Sequence, residues 1–200
     1  LTPKIAEEVL SYGVDAITSG NHVWKKKEII PYLEGEKRVI RPLNYPPEAP
    51  GHGFSIVKKN EKTICVVNIE GRVFMNPLFC PFRTIRDFLE REKIECPILV
   101  DFHAEATSEK IAMGWFLDGK VSAVIGTHTH VQTSDERILP NGTGYITDAG
   151  MTGPQDSVIG MEKSVIIERF LSQIPQKFSV GREDLEVQGV RLKIDGKTKK

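Results

Sequence analysis

The run CPILVDFH at residues 96–103 constrains the fold more than any other part of the chain. A continuous apolar stretch this short suits a strand buried on both faces, and such strands belong to sheets covered by helices. VDAIT (14–18) and VSAVI (121–125) read as further strands. Ahead of VDAIT, the opening LTPKIAEEVLSYG predicts a helix, with Thr2 as N-cap, Pro3 at the first position, Ile5, Val9 and Leu10 on one apolar face, and Gly13 closing it. Other helices are expected at 25–33, interrupted by Pro31, and at 81–93, 107–118 and 162–172. Hairpins are expected over 53–69, over 137–147 around PNG, and over 178–194.

This pattern predicts a mixed α/β (α+β) fold of packed mixed sheets flanked by helices. With no repeats and no Pro-, Gly- or Ser-rich linker, residues 1–200 read as a single domain. A βα protein ordinarily places a strand before its first helix, so the opening on a helix leads us to expect that an N-terminal segment is missing relative to the full fold.

Charge excludes some partners. The 27 Lys+Arg balance the 27 Asp+Glu, which argues against binding to anionic membranes and against sequence-independent nucleic-acid binding. No sequence-specific nucleic-acid binding is expected either. The apolar runs fall far short of the roughly 20 residues that span a bilayer. Three cysteines without CxxC spacing argue against a disulfide framework. The expectation is a cytoplasmic protein with no membrane partner; homo-oligomerisation is left open.

Only five histidines occur, and two share the segment GTHTH at 126–130. If the backbone stays extended through Thr129, His128 and His130 point to the same side. SGNH and VDFHAE end two other strand runs, adding Asn21, His22 and His103. Ligands of α/β sheets gather beyond the carboxyl ends of strands, so these residues can converge. Neutral imidazoles there suit one metal ion or a close pair. His52, in PGHGF, and Arg41, before PLNYP, are weaker candidates for contact with a phosphate.

The motifs SGNHVW, DFHAEATSEK, GTHTHVQTSDERILPNGTGYITDAGMTGP and RFLSQIPQKF together resemble the YmdB-type bacterial metallophosphoesterases of the calcineurin-like superfamily. The resemblance spans nearly the whole chain. It implies a calcineurin-like sandwich of two packed mixed sheets flanked by helices and a two-metal site, with iron or manganese favoured over zinc or magnesium. It also implies a phosphodiesterase that uses a metal-bridging hydroxide on 2′,3′-cyclic nucleotides, 3′,5′-cyclic nucleotides or other small phosphodiesters. Carried over to this chain, Asn21, His103 and His128 would hold one metal and His130 the other. His22 would contact the substrate phosphate and protonate the leaving oxygen, a role that suits imidazole. Lys25 stands where the family commonly has an acidic residue.

All four of these metal ligands are uncharged, whereas a pair of divalent ions ordinarily needs carboxylate compensation. In the family those carboxylates precede the first residue seen here, so an inactive chain is one expectation for these 200 residues by themselves. Asp101 and Asp148 read as hydrogen-bonding support or turn caps before they read as ligands. Two other functions compete: a mononuclear zinc amidohydrolase using the HxH pair, and a non-catalytic phosphodiester- or partner-binding protein.

Overall fold

The computed structural model describes residues 1–199. Its first helix, α1 (Pro3–Ser11), starts as expected, with the Thr2 hydroxyl accepting from the Ile5 amide. Its buried face is Ala6 and Leu10, while Ile5 turns outward. Strand β1 (Ile17–Thr18) is shorter than VDAIT and pairs in parallel with β2 (Val39–Ile40). Between them, α2 runs Ile29–Gly35 and not 25–33. Pro31 lies in its first turn, where no intrahelical N–H is required, so the helix is uninterrupted.

The hairpin over 53–69 forms as β3 (Phe54–Lys59) and β4 (Lys62–Glu70), turning at Asn60 and Glu61, both of positive φ. Helix α3 (Pro81–Glu92), strand β5 (Ile98–His103), helix α4 (Thr107–Leu117) and strand β6 (Ala123–Thr127) follow. The second hairpin is β7 (Arg137–Ile138) with β8 (Gly144–Ile146). Strand β9 (Gly153–Pro154), helix α5 (Lys163–Ser172) and strand β10 (Leu185–Glu186) complete the elements. The expected hairpin at 178–194 does not form: β10 pairs antiparallel with the distant β9.

The mixed α/β class is as expected. The main sheet has six strands in the order β3-β4-β5-β6-β8-β7, and two further sheets have two strands each. Its central strands β4, β5, β6 and β8 are parallel, and antiparallel hairpin partners stand at both edges. Alternation along the strands divides the two faces. Val67, Ile69, Val100, Phe102 and Val124 pack with Ile85 and Phe88 of α3 and Met113 and Leu117 of α4. Asn68, Glu70, Asp101, His103 and Thr127 alternate with them and occupy the opposite face. A smaller core of Ala6, Leu10, Val23, Ile29, Leu33 and Val39 joins α1 and α2 to β2.

Among the described residues, no helix is long and apolar enough to cross a membrane. The cysteines are free, with Cys65 buried.

Phe102 is fully buried at the centre of the larger core. Phe102→Ala is expected to destabilise the protein by about 3–5 kcal/mol, read from denaturant unfolding. A loss below about 1 kcal/mol would mean that the helix-covered face is not the stabilising core.

Candidate functional site

The parallel register sets the site. Glu70, His103 and Thr127 are side-by-side partners at the carboxyl ends of β4, β5 and β6. Asn21 and His22 arrive from the turn after β1. That turn is held by the buried Val23 and by Trp24, which packs edge-on against Tyr45 at 5.5 Å. Gly20 lets it approach: a Cβ there would lie 2.1 Å from His103 Nε2.

His103 Nε2 lies 3.1 Å from Asn21 Oδ1 and 3.1 Å from His128 Nδ1. On its other side, His103 Nδ1 is 3.0 Å from Thr127 Oγ1, and that hydroxyl donates to Asp101 Oδ1 at 2.7 Å. Thr127 commits its proton to Asp101, so it accepts from His103 Nδ1–H. The Nε2 of His103 therefore carries a lone pair aimed at Asn21 and His128. Burial is the main cause that lowers His103 to about 3, so this imidazole stays neutral at physiological pH. Burial also raises the Asp101 carboxyl to about 6, against hydrogen bonds from Thr18 and Thr127.

The GTHTH segment differs from the expected strand. β6 stops at Thr127, and His128 and His130 have φ of +105° and +66°. The same-side argument from extended backbone therefore fails. His128 turns to His103, with ring centroids 4.7 Å apart, while His130 Nδ1 donates to the Ile159 carbonyl at 3.1 Å. Left-handed backbone at non-glycine residues is strained, and such strain persists where surrounding contacts enforce it. Here Asp148 Oδ2 accepts from the Thr129 amide and hydroxyl, and Oδ1 from the Gly150 amide. Lys110 Nζ donates to the same Oδ2 at 2.6 Å, and both side chains are 1% exposed. Removing either partner would leave a buried unpaired charge, at a cost of about 3–5 kcal/mol.

The structure thus brings Asn21, His103 and His128 together. His22 is exposed on the adjacent turn, close enough for its charge to lower both His103 and His128. His130 stands apart from the trio, though its charge also reaches His128.

The two weaker candidates sit differently. Arg41 is buried, and its guanidinium donates to the carbonyls of Pro42, Ala49 and Pro50, so it ties its own loop and is not offered to a phosphate. His52 lies at an isolated bridge to Ile40, with a buried and unpartnered Nε2. Among the described residues, no three His, Cys, Asp or Glu side chains cluster as a metal site; the trio here includes an amide. Its donor chemistry fits a metal nonetheless. Donor atoms about 2.2 Å from one ion and at right angles lie about 3.1 Å apart, and those around His103 Nε2 have that spacing.

Two acidic residues escaped the sequence reading. Glu105, two positions after His103 in HAE, places Oε2 3.0 Å from His128 Nε2. Glu70 is fully buried at the end of β4 with neither carboxyl oxygen hydrogen-bonded, while Asn44 clamps its backbone from both sides. The only available signal for Glu70 was an acidic residue ending the apolar run TICVVNIE.

Burial raises the Glu70 carboxyl from 4.5 to about 7. Between those values the unfolded chain releases a proton that the folded protein keeps, so the contribution of this group to stability falls as pH rises. In metal-free protein, Glu70→Gln should unfold with wild type near pH 4.5 and be more stable by a few degrees in Tm at pH 8. No gain at pH 8 would mean that the carboxylate finds a partner. Separately, Gly20→Ala should displace His103 and reduce divalent-metal binding at least tenfold in a folded protein. Unchanged binding would show that the Gly20 approach does not shape the site.

The family model for YmdB-like proteins matches residues 1–200. The chain is 49% identical to the 2′,3′-cyclic-nucleotide 2′-phosphodiesterase of Bacillus subtilis, with 100% of this chain and 76% of that protein covered. Among solved structures, it superposes on a hypothetical protein from Thermus thermophilus with a TM-score of 0.86, at 46% identity over 91% of this chain and 71% of that one. A novel phosphatase from Mycoplasma pneumoniae gives a TM-score of 0.84, at 36% identity over 90% and 66%. The fold is thus shared with these solved structures, and this chain belongs to the YmdB-like family.

Proposed function

We propose that this protein is a metal-dependent phosphodiesterase that hydrolyses 2′,3′-cyclic nucleotides and related small phosphodiesters, 3′,5′-cyclic nucleotides among them. The observation that carries the metal reading is the convergence of Asn21 Oδ1 and His128 Nδ1 on His103 Nε2, each at 3.1 Å. Identity of 49% to a phosphodiesterase supports the hydrolytic reading.

In this reading Asn21, His103 and His128 hold one metal ion and His130 contributes to a second, with iron or manganese favoured over zinc or magnesium. Such ions supply Lewis acidity toward the phosphate oxygens and an activated water nucleophile. The residues of this chain do the rest. Burial keeps His103 neutral and its lone pair available. Asn21 adds an oxygen donor without adding charge. Asp148, paired with Lys110, holds the His128–His130 segment in its strained form. His22, exposed beside the trio, meets the substrate. As water adds to phosphorus and the bond to the ribose oxygen breaks, the His22 imidazolium gives that oxygen its proton.

His22→Ala is expected to lower kcat for a 2′,3′-cyclic nucleotide by about 10²–10⁴-fold with metal content unchanged, whereas His128→Ala should lose metal. Elemental analysis beside turnover decides. If His22→Ala lost metal along with activity, His22 would be a ligand and not the proton donor. A single bound zinc with amide-bond hydrolysis would favour the amidohydrolase reading, and metal binding without turnover of any phosphodiester would favour a binding protein.

A further inference from the structure

The geometry around His128 asks where its single proton resides. A neutral imidazole has one N–H, and the two nitrogens of His128 both face acceptors: Nε2 lies 3.0 Å from Glu105 Oε2, and Nδ1 lies 3.1 Å from His103 Nε2. His103 cannot supply a proton to this contact, because its own is committed to Thr127 at Nδ1. The proton of His128 must therefore go to Glu105 or to His103. A hydrogen bond to a carboxylate is roughly twice as strong as one between neutral groups. The Glu105 side chain is 48% exposed, which weakens that advantage without reversing it.

We propose that Glu105 is a positioning residue that holds the His128 proton at Nε2, so that the lone pairs of His128 Nδ1 and His103 Nε2 both stay open toward Asn21 Oδ1. Without Glu105 the proton moves to Nδ1, and the two histidines close the site by hydrogen-bonding each other. A cation would then have to break that bond before entering. The segment HAE thus has two tasks: His103 offers a lone pair, and Glu105, two residues on, fixes the tautomer of a histidine from the next strand's end. The effect on metal affinity rests on the proposed function; the tautomer does not.

The test is ¹H–¹⁵N correlation of the histidine ring nitrogens in the metal-free full chain near pH 8, with His128→Gln assigning the signals. Wild type should show His128 protonated at Nε2, and Glu105→Ala should show it at Nδ1. Glu105→Asp, which keeps a carboxylate acceptor, should keep the Nε2 proton and guard against a folding artefact. Titration with Mn²⁺ and Zn²⁺ should give about 10–100-fold weaker binding in Glu105→Ala, largely restored in Glu105→Asp. An unchanged tautomer in Glu105→Ala, or equally tight metal binding, overturns the proposal and leaves the metal site intact. A tautomer change in a protein whose wild type binds neither ion upholds the role of Glu105 and overturns the metal reading instead.

Discussion

The hydrogen-bond register of three parallel strands governs the molecule. Because β4, β5 and β6 pair in parallel, Glu70, His103 and Thr127 end level with one another, and two steps back Asn68, Asp101 and Ile125 do the same. A one-residue slip in any pair would send these side chains into the apolar layer beneath α3 and α4 and bring Phe102 or Ile69 to the polar face. The core under the helices therefore does more than stabilise. By specifying the register, it specifies which polar atoms meet.

A polar face inside a protein is costly unless its groups find partners. Most of this one is satisfied. Asn68 donates toward Asp101, Thr127 donates to Asp101, and His103 donates to Thr127. The chain of bonds orients His103 and fixes its tautomer while burial keeps the ring neutral. Asn68 Oδ1 and both oxygens of Glu70 are buried without partners. These unpartnered atoms, together with lone pairs aimed at one another, are the destabilising exceptions on an otherwise satisfied face.

The loop carrying His128 and His130 shows the same balance in backbone form. Positive φ at two histidines is unfavourable locally, and it is enforced by a buried pair contributed from either side in sequence, Lys110 and Asp148. The opposite charges of the pair offset each other, so it braces the loop without filling the site with a competing cation. That bracing also explains why the two histidines diverge, one toward His103 and the other toward the Ile159 carbonyl, where an extended strand would have aligned them.

Much of this was legible in the residues. Apolar runs marked the strands and Thr2 and Pro3 marked the first helix, because periodicity and capping are local physics, and histidines placed just past strand ends marked the candidate site. Helix limits near Pro31 and the supposed hairpin at 178–194 were misread. In the first case a proline in the opening turn costs nothing; in the second, β10 found a partner about thirty residues away in β9. Arg41 looked available in the sequence and is in fact wrapped by the carbonyls of its own loop. By itself, the sequence determined the fold class, the family motifs and the short set of residues from which a site can be built. Only the tertiary structure decided that Glu105 meets His128, that Glu70 is buried without a partner and that His130 stands apart. Those outcomes depend on distances between strands and loops far apart in the chain, which no local pattern encodes.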